Sequence, residues 1–157
     1  MKLVRRLAQT LGRQPWLSAV GPHLVAMDIA LQRLTGGRVA FSRFAGMAAV
    51  LLTTTGRRTG QARTTPLMAI PDDGSLILVA SNWGKPNHPA WSANLIANPA
   101  ATALVRGHAF PVTATLLTGP DRAVAWSTVT TAWPAYHDYA TRSGREIRLF
   151  RLTHTLH

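Results

Sequence analysis

The sequence predicts an α+β fold, a small antiparallel β-barrel with flanking helices behind a basic helical extension at residues 1–45, and three observations carry that expectation. From residue 47 onward the apolar pattern switches from helical spacing to short runs rich in Val, Ile, Leu and Thr broken by turn clusters. Two of those runs are joined by Pro71-Asp72-Asp73-Gly74 and two more by Gly107-His108, each a hairpin signature. Five or six strands with helical interruptions result, and antiparallel sheets of this size commonly curl into barrels that remove their edges.

The elements follow in order. In residues 1–45, Leu24, Met27, Leu31 and Leu34 recur at helical spacing, Pro22 suits a first helical turn, and Gly36-Gly37 supplies a stop. Met47–Thr55 reads as a strand, followed by the hairpin of Thr64–Ile70 and Ser75–Ser81. His88–Ala97 is a short helix set between Pro89 and Asn98-Pro99. Ala101–Arg106 and Ala109–Leu117 form the second hairpin, Asp121–Ala132 and Ala135–Ser143 are helical, and Ile147–Thr153 closes as a strand. The division expected is an extension at 1–45 and a barrel domain at 46–157.

At 157 residues and 46% hydrophobic content the chain is long enough to bury a core without disulfides or a structural metal. It has no cysteine, which removes thiolate zinc sites and thiol catalysis. Residues 1–20 lack the continuous apolar run of a signal peptide, and no segment reaches the ~20 apolar residues of a membrane span. A cytoplasmic protein is expected.

Net charge is +11, from 17 Lys and Arg against six acids, so an anionic partner is expected. Fifteen of the cations are Arg, a bias that phosphate or carboxylate recognition explains and that a GC-rich genome explains equally. Lys2, Arg5, Arg6 and Arg13 beside Leu3, Val4, Leu7, Leu11 and Trp16 read either as a helix packed on the body or on a second subunit of a homodimer, or as an interfacial segment on anionic lipid.

The most informative stretch runs from Thr53 to Pro66. Gly56 and Gly60 permit positive φ and close approach, while Arg57, Arg58 and Arg63 bring three guanidiniums to one turn. A bound phosphate or carboxylate would hold them together; a solvated basic hairpin loop is the alternative. The Gly-Lys-Ser/Thr ending of a P-loop is absent. The six histidines show no ligand pair and the acids are few, so no metal is expected, and no nucleophile elbow or triad partners accompany Ser81. No nucleic-acid motif is present, and no nucleic-acid partner is expected.

Leu51–Pro66, Ala80-Ser81-Asn82-Trp83-Gly84, His88-Pro89-Ala90-Trp91, Asn94-Leu95 and Ala97-Asn98-Pro99, in that order and spacing, resemble the deazaflavin (F420)-dependent nitroreductase family over about residues 45–153. The resemblance implies a split β-barrel akin to flavin mononucleotide (FMN)-binding proteins, with coenzyme F420 as the cofactor. It implies that Arg57, Arg58 and Arg63 hold the anionic side of F420, that Gly60, Thr64, Thr65 and Pro66 shape the floor, and that Ala80, Ser81, Asn82, Ala90, Trp91 and Asn94 contact the ring system. Where some members have lysine after that serine, this chain has Asn82. Trp133, Pro134, Tyr136 and Tyr139 resemble an aromatic group on the substrate side; Tyr136 and Tyr139, with Ser81, are the catalytic candidates, the phenols as proton donors to a reduced acceptor. Trp91 as a core aromatic, Asn94 as a helix-surface amide and the tyrosines as core packing are the plain readings of the same residues.

The expected function is hydride transfer from reduced F420 to a small electron-poor acceptor such as a quinone, nitroaromatic or enone, chemistry that the coenzyme supplies and that needs no acid-base dyad. Two alternatives stand beside it: an FMN-binding reductase on the same barrel, and an F420 carrier without turnover.

Overall fold

The computed structural model describes residues 2–36 and 46–155. Six strands, β1 (Ala48–Thr55), β2 (Ala62–Asp72), β3 (Ser75–Val79), β4 (Ala100–Val105), β5 (His108–Leu116) and β6 (Leu149–His154), close into an antiparallel barrel of order β1-β2-β3-β6-β5-β4. Helices α1 (Lys2–Leu11) and α2 (Leu17–Leu34) precede it, α3 (Ala90–Ala97) links β3 to β4, and α4 (Gly119–Ala132) and α5 (Ala135–Ser143) link β5 to β6. The segment 37–45, which holds Gly37 and the boundary expected at 45/46, lies outside the described residues.

Strand alternation sorts the core into two layers. Ala69, Leu78 and Phe150 point into the barrel with Val50, Leu52, Ala103 and Val112, and Trp91 and Leu95 of α3 join that interior. Their neighbours Ile70, Ile77, Val79 and Leu149 point outward, where α4 and α5 cover them with Val129, Ala132, Tyr136 and Tyr139. Both faces of β3 are therefore buried, which is why Leu76-Ile77-Leu78-Val79 reads as an unbroken apolar run.

The hairpins form with shifted turns. β2 continues through Pro71, opposite Leu76, so the connection is only Asp73-Gly74, both at positive φ (44° and 77°) as a two-residue hairpin turn requires. In the second hairpin Val105 pairs with His108, and the turn residues are Arg106 and Gly107 (φ 51° and 81°) rather than Gly107-His108.

The helical extension needs two corrections. Helix α2 begins at Leu17, so Pro22 lies inside it and not in its first turn. The expected stripe also points the wrong way: Leu24, Met27 and Leu34 are exposed, and α2 buries Gly21, Val25, Asp28, Ile29 and Gln32 instead. The buried polar pair on that face bonds internally, Gln32 Nε2 donating to Asp28 Oδ2 at 3.3 Å. Gly21, Asp28 and Gln32 interrupt Leu17, Val25 and Ile29 on the packed face and so weaken its hydropathy signal.

Helix α1 is fastened to α4 and α5 at its end. Gln9 donates to the Ala132 carbonyl (3.0 Å), Tyr139 Oη donates to the Gly12 carbonyl (2.5 Å), and Arg142 donates to the Arg13 carbonyl (3.3 Å). The Arg13–Asp138 ion pair (3.4 Å) is largely exposed and adds little.

Candidate active site

Strand β2 pairs with β1 over residues 62–69 but with β3 only over 69–72. Residues 62–68 thus face a gap, and two hollows meet along it. One, of about 760 Å³, is lined by residues 56–59 and 63–65, by residues 88–91, 93 and 94 at α3, and by Arg148. The other, of about 460 Å³, is apolar and aromatic, walled by Trp16, Trp83, Trp133, Tyr136 and Tyr139. Thr65, Pro89 and Trp91 border both, so the two form one groove.

The basic end is built by a loop tied to a helix. Gly56 N–H donates to the Gln61 carbonyl and Gly60 N–H to the Gly56 carbonyl, both at 2.7 Å, and Gly60 alone of the two glycines has positive φ (70°). Gly56 is required for room instead: a Cβ there would stand 2.8 Å from Thr59 Oγ1 and 3.1 Å from the Gln61 carbonyl. Asn94 is buried, accepting from the Arg57 backbone N–H (3.0 Å) and donating to Thr54 Oγ1 (3.1 Å). It is therefore not a helix-surface amide, because both ends of its carboxamide clamp the arginine loop to α3. Arg57, Arg58 and Arg63 are exposed and line the recess together with Thr64 and Thr65.

The middle is apolar and stiff. Trp91 packs its ring on Phe150 at 5.7 Å while lining both hollows, so it is a core aromatic and a groove wall at once. Pro66, Ser81 and Asn82 line the apolar side, and Ala90 the basic side. Ala80 is fully buried in the barrel interior and Gly60 shapes the loop; neither lines the groove. Asn82, Trp83 and Gly84 all have positive φ (46°, 57°, 79°), the conformation least favourable for residues with a Cβ.

At the far end Tyr136 and Tyr139 meet edge to face, with ring centroids 6.0 Å apart. Burial first, and then its tyrosine neighbour, pushes the Tyr136 phenol above its ordinary pKa. Burial likewise raises Tyr139, opposed by a side-chain bond with Trp133 and by the Arg142 charge. Both rings therefore hold their protons at neutral pH, but the Tyr139 proton is already directed at the Gly12 carbonyl. Pro134 is not among the lining residues.

Sequence reasoning missed three contributors. Arg148 lines the basic recess and Trp83 the apolar one, and α1 and α2 supply part of the apolar wall through Leu11, Trp16, Leu17 and Val25. Arg148 is a single residue remote from the arginine loop in the chain, so no local pattern marks it, whereas Trp83 stands inside the Ala80–Gly84 segment without being assigned to the site. Among the described residues no three His, Asp or Glu side chains come together as a metal site.

An anionic, flat coenzyme fits this donor set, since four guanidiniums gather at one end and aromatic and proline surfaces continue from it. Comparison with known proteins gives the same answer. The F420H(2)-dependent quinone reductase family model matches residues 25–154. An F420H(2)-dependent quinone reductase of Mycobacterium tuberculosis is 36% identical over 142 residues, covering 88% of this chain and 95% of that one. The solved structure of an F420-H2 dependent reductase is 36% identical, with a TM-score of 0.61 over 68% of this chain and 94% of that chain. A second, described as a domain-swapped dimer, is 32% identical, with a TM-score of 0.64 over 79% and 94%. The chain is a member of the F420H2-dependent quinone reductase family, an enzyme family of the oxidoreductase class that works with coenzyme F420.

Proposed function

We propose that the recess lined by Arg57, Arg58, Arg63 and Arg148 takes the phosphate and acidic tail of F420, that the ring lies along the β2 edge between Thr65-Pro66 and Ser81-Pro89-Trp91, and that a quinone occupies the apolar cavity. The observation that carries this is the single groove whose lining changes from guanidinium to aromatic at Thr65, Pro89 and Trp91. Reduced F420, once bound, supplies the hydride. The protein's own work is to bind the anionic end through charge-assisted bonds, to fix the ring against rigid side chains, and to exclude water with Trp16, Trp83 and Trp133. Tyr136 is the phenol that faces this cavity without the commitment that holds Tyr139 to Gly12, and it is the proton donor assigned to the reduced acceptor. The test is spectral titration with F420 and with FMN, followed by oxidation of reduced F420 by menadione. Preferential F420 binding and accelerated oxidation support the reading; tighter FMN binding defeats the coenzyme assignment, and binding without acceleration makes the protein a carrier.

We further propose that the acceptor arrives from an anionic membrane surface. Nine of the twelve large hydrophobic residues left exposed among the described residues lie between Leu3 and Leu34, interspersed with Lys2, Arg5, Arg6, Arg13 and Arg33. Leu11, Trp16 and Leu24 belong both to that surface and to the cavity wall. No helix among the described residues is long and apolar enough to cross a membrane, so the contact is peripheral. Vesicle flotation decides: co-flotation with anionic and not neutral vesicles is expected, whereas a stable homodimer that ignores both would assign the same face to a second copy.

A further inference from the structure

We propose that Arg145 is the positioning residue of the coenzyme-ring site, a single guanidinium that ties the start, middle and end of the 80–88 loop together. The inference rests on the placement of the ring given above. Arg145 Nη1 donates to the Ala80 carbonyl (3.1 Å), Nη2 to the Ser81 carbonyl (3.0 Å) and Nε to the Lys85 carbonyl (3.4 Å), and Nη1 meets His88 Nδ1 at 3.1 Å. Its partners in these four contacts are neutral groups of one loop.

That loop needs an external constraint. Three consecutive left-handed residues, two of them bearing a Cβ, persist only where the surroundings over-determine them. The loop's own bonds, Gly84 N–H to the Ser81 carbonyl (2.9 Å), Lys85 N–H to the Asn82 carbonyl (3.1 Å) and Asn82 Nδ2 to the Asn87 carbonyl (2.9 Å), close it on itself, and its backbone tie toward the sheet is at its first residue, Ala80 N–H to the Arg148 carbonyl (2.9 Å). Arg145 stands between α5 and β6, and β6 pairs with β3 at Val79–Leu149, so its guanidinium references the loop to the sheet. The groove-facing residues Ser81, Asn82 and Trp83 are what it thereby holds in place.

The contact with His88 supplies a readout independent of turnover. Arginine carries no acceptor, so His88 Nδ1 must accept and the neutral ring bears its hydrogen on Nε2. Burial first, then the charges of Arg148 and Arg145, lowers the His88 pKa from 6.5.

Arg145→Gln and Arg145→Lys test the assignment. Both are expected to lose about 100-fold in kcat at saturating F420, the scale of an ångström misplacement at a reacting centre. F420 affinity should change by less than about fivefold, since the recess arginines are untouched. The His88 titration, followed by NMR without coenzyme, should move upward in Arg145→Gln, which removes the charge, and stay near wild type in Arg145→Lys, which keeps it. Lysine keeps the charge but cannot bridge three carbonyls. Full kcat in Arg145→Lys, an unmoved His88 titration in Arg145→Gln, or loss of fold in both variants would overturn the proposal, the last making Arg145 a structural residue only. If the wild type binds no F420 while His88 still shifts, the groove assignment fails and the loop clamp stands.

Discussion

Gly12 against Trp133 and Gly21 against Trp83 set how closely the helical extension approaches the apolar cavity, and replacing the second measures that coupling. A Cβ on Gly21 of α2 would lie 2.4, 2.5 and 2.6 Å from three carbons of the Trp83 ring. Ordinary contact begins at 3.4 Å, so ring and helix must separate by at least 3.4 − 2.4 = 1.0 Å. The ring has little room to retreat, because its other side meets Tyr139 at 6.3 Å between centroids and its own backbone is left-handed. Overpacking of a packed contact costs about 1–3 kcal/mol, and three ring carbons inside that distance place Gly21→Ala near 3 kcal/mol. Against this, alanine favours a helix interior over glycine by roughly 0.5–1 kcal/mol. The net is a loss of about 2 kcal/mol, or a Tm lower by roughly 4–8 °C for a chain of this length. In the F420H2 oxidation assay KM for the quinone should rise, since α2 forms part of the cavity wall, while F420 affinity stays unchanged because α2 contributes nothing to the basic recess. Gly74→Ala is the control: φ is +77° with open space around it, so it strains the β2–β3 turn without entering either hollow. A Tm at or above wild type in Gly21→Ala, with unchanged quinone KM, would refute the reasoning.

The remaining expectations concern charge and protonation. Replacing Arg57, Arg58 and Arg63 together by alanine should weaken F420 binding at least about tenfold while leaving Tm within about 2 °C, because these side chains are exposed and the substitution removes their charge-assisted bonds to the ligand rather than any packing; unchanged titration curves would remove the arginine loop from the coenzyme site. The chain has two tyrosines, both buried and both raised in pKa, so their neutral forms stabilise the fold fully below the unfolded value of 10 and that contribution is lost as pH rises through the folded values. Tyrosinate absorbance should therefore appear only together with loss of circular dichroism in an alkaline titration; ionisation in a still-folded protein would contradict the burial of Tyr136 and Tyr139.

Where the fold is legible in the sequence, the signal is local. Asp73-Gly74 marks its hairpin because such a pair tolerates two positive φ values readily, and the Ala135–Ser143 helix lies between Pro134 and Gly144, the latter at φ 65°. The packed face of α2 is illegible because a partner's shape chooses it: Gly21 is there to admit the Trp83 indole, and Asp28 and Gln32 bond to each other. Pro71 misleads in the opposite sense: by residue type it reads as a turn, yet it is a strand residue opposite Leu76, whereas Pro66, inside the expected Thr64–Ile70 strand, stands opposite Leu51. At the site, the arginine loop announces itself by composition, whereas Arg148 at the groove and Arg145 on the 80–88 loop come from a segment about ninety residues downstream that leads into β6 and its pairing with β3.

Pro66 connects the fold to the groove. A proline withholds a ladder donor, so it is tolerated where one side of a strand goes unpaired, and β2 has no β3 partner from residue 62 to 68. Had β3 followed β2 along its whole length, that gap would be filled by strand and the hollows beside it would not exist. Because β3 stops at Val79 and the chain turns through left-handed residues into α3, the sheet is left open along one strand. An exposed strand edge is ordinarily a hazard, inviting another chain to pair. Here the side chains along it, Thr64 to Met68, face arginines at one end and tryptophans at the other, so what completes that stretch of wall must be charged at one end and flat and apolar along its length. On the proposed placement of the coenzyme ring, the same interruption of strand pairing creates the hazard and leaves room for the ligand that covers it.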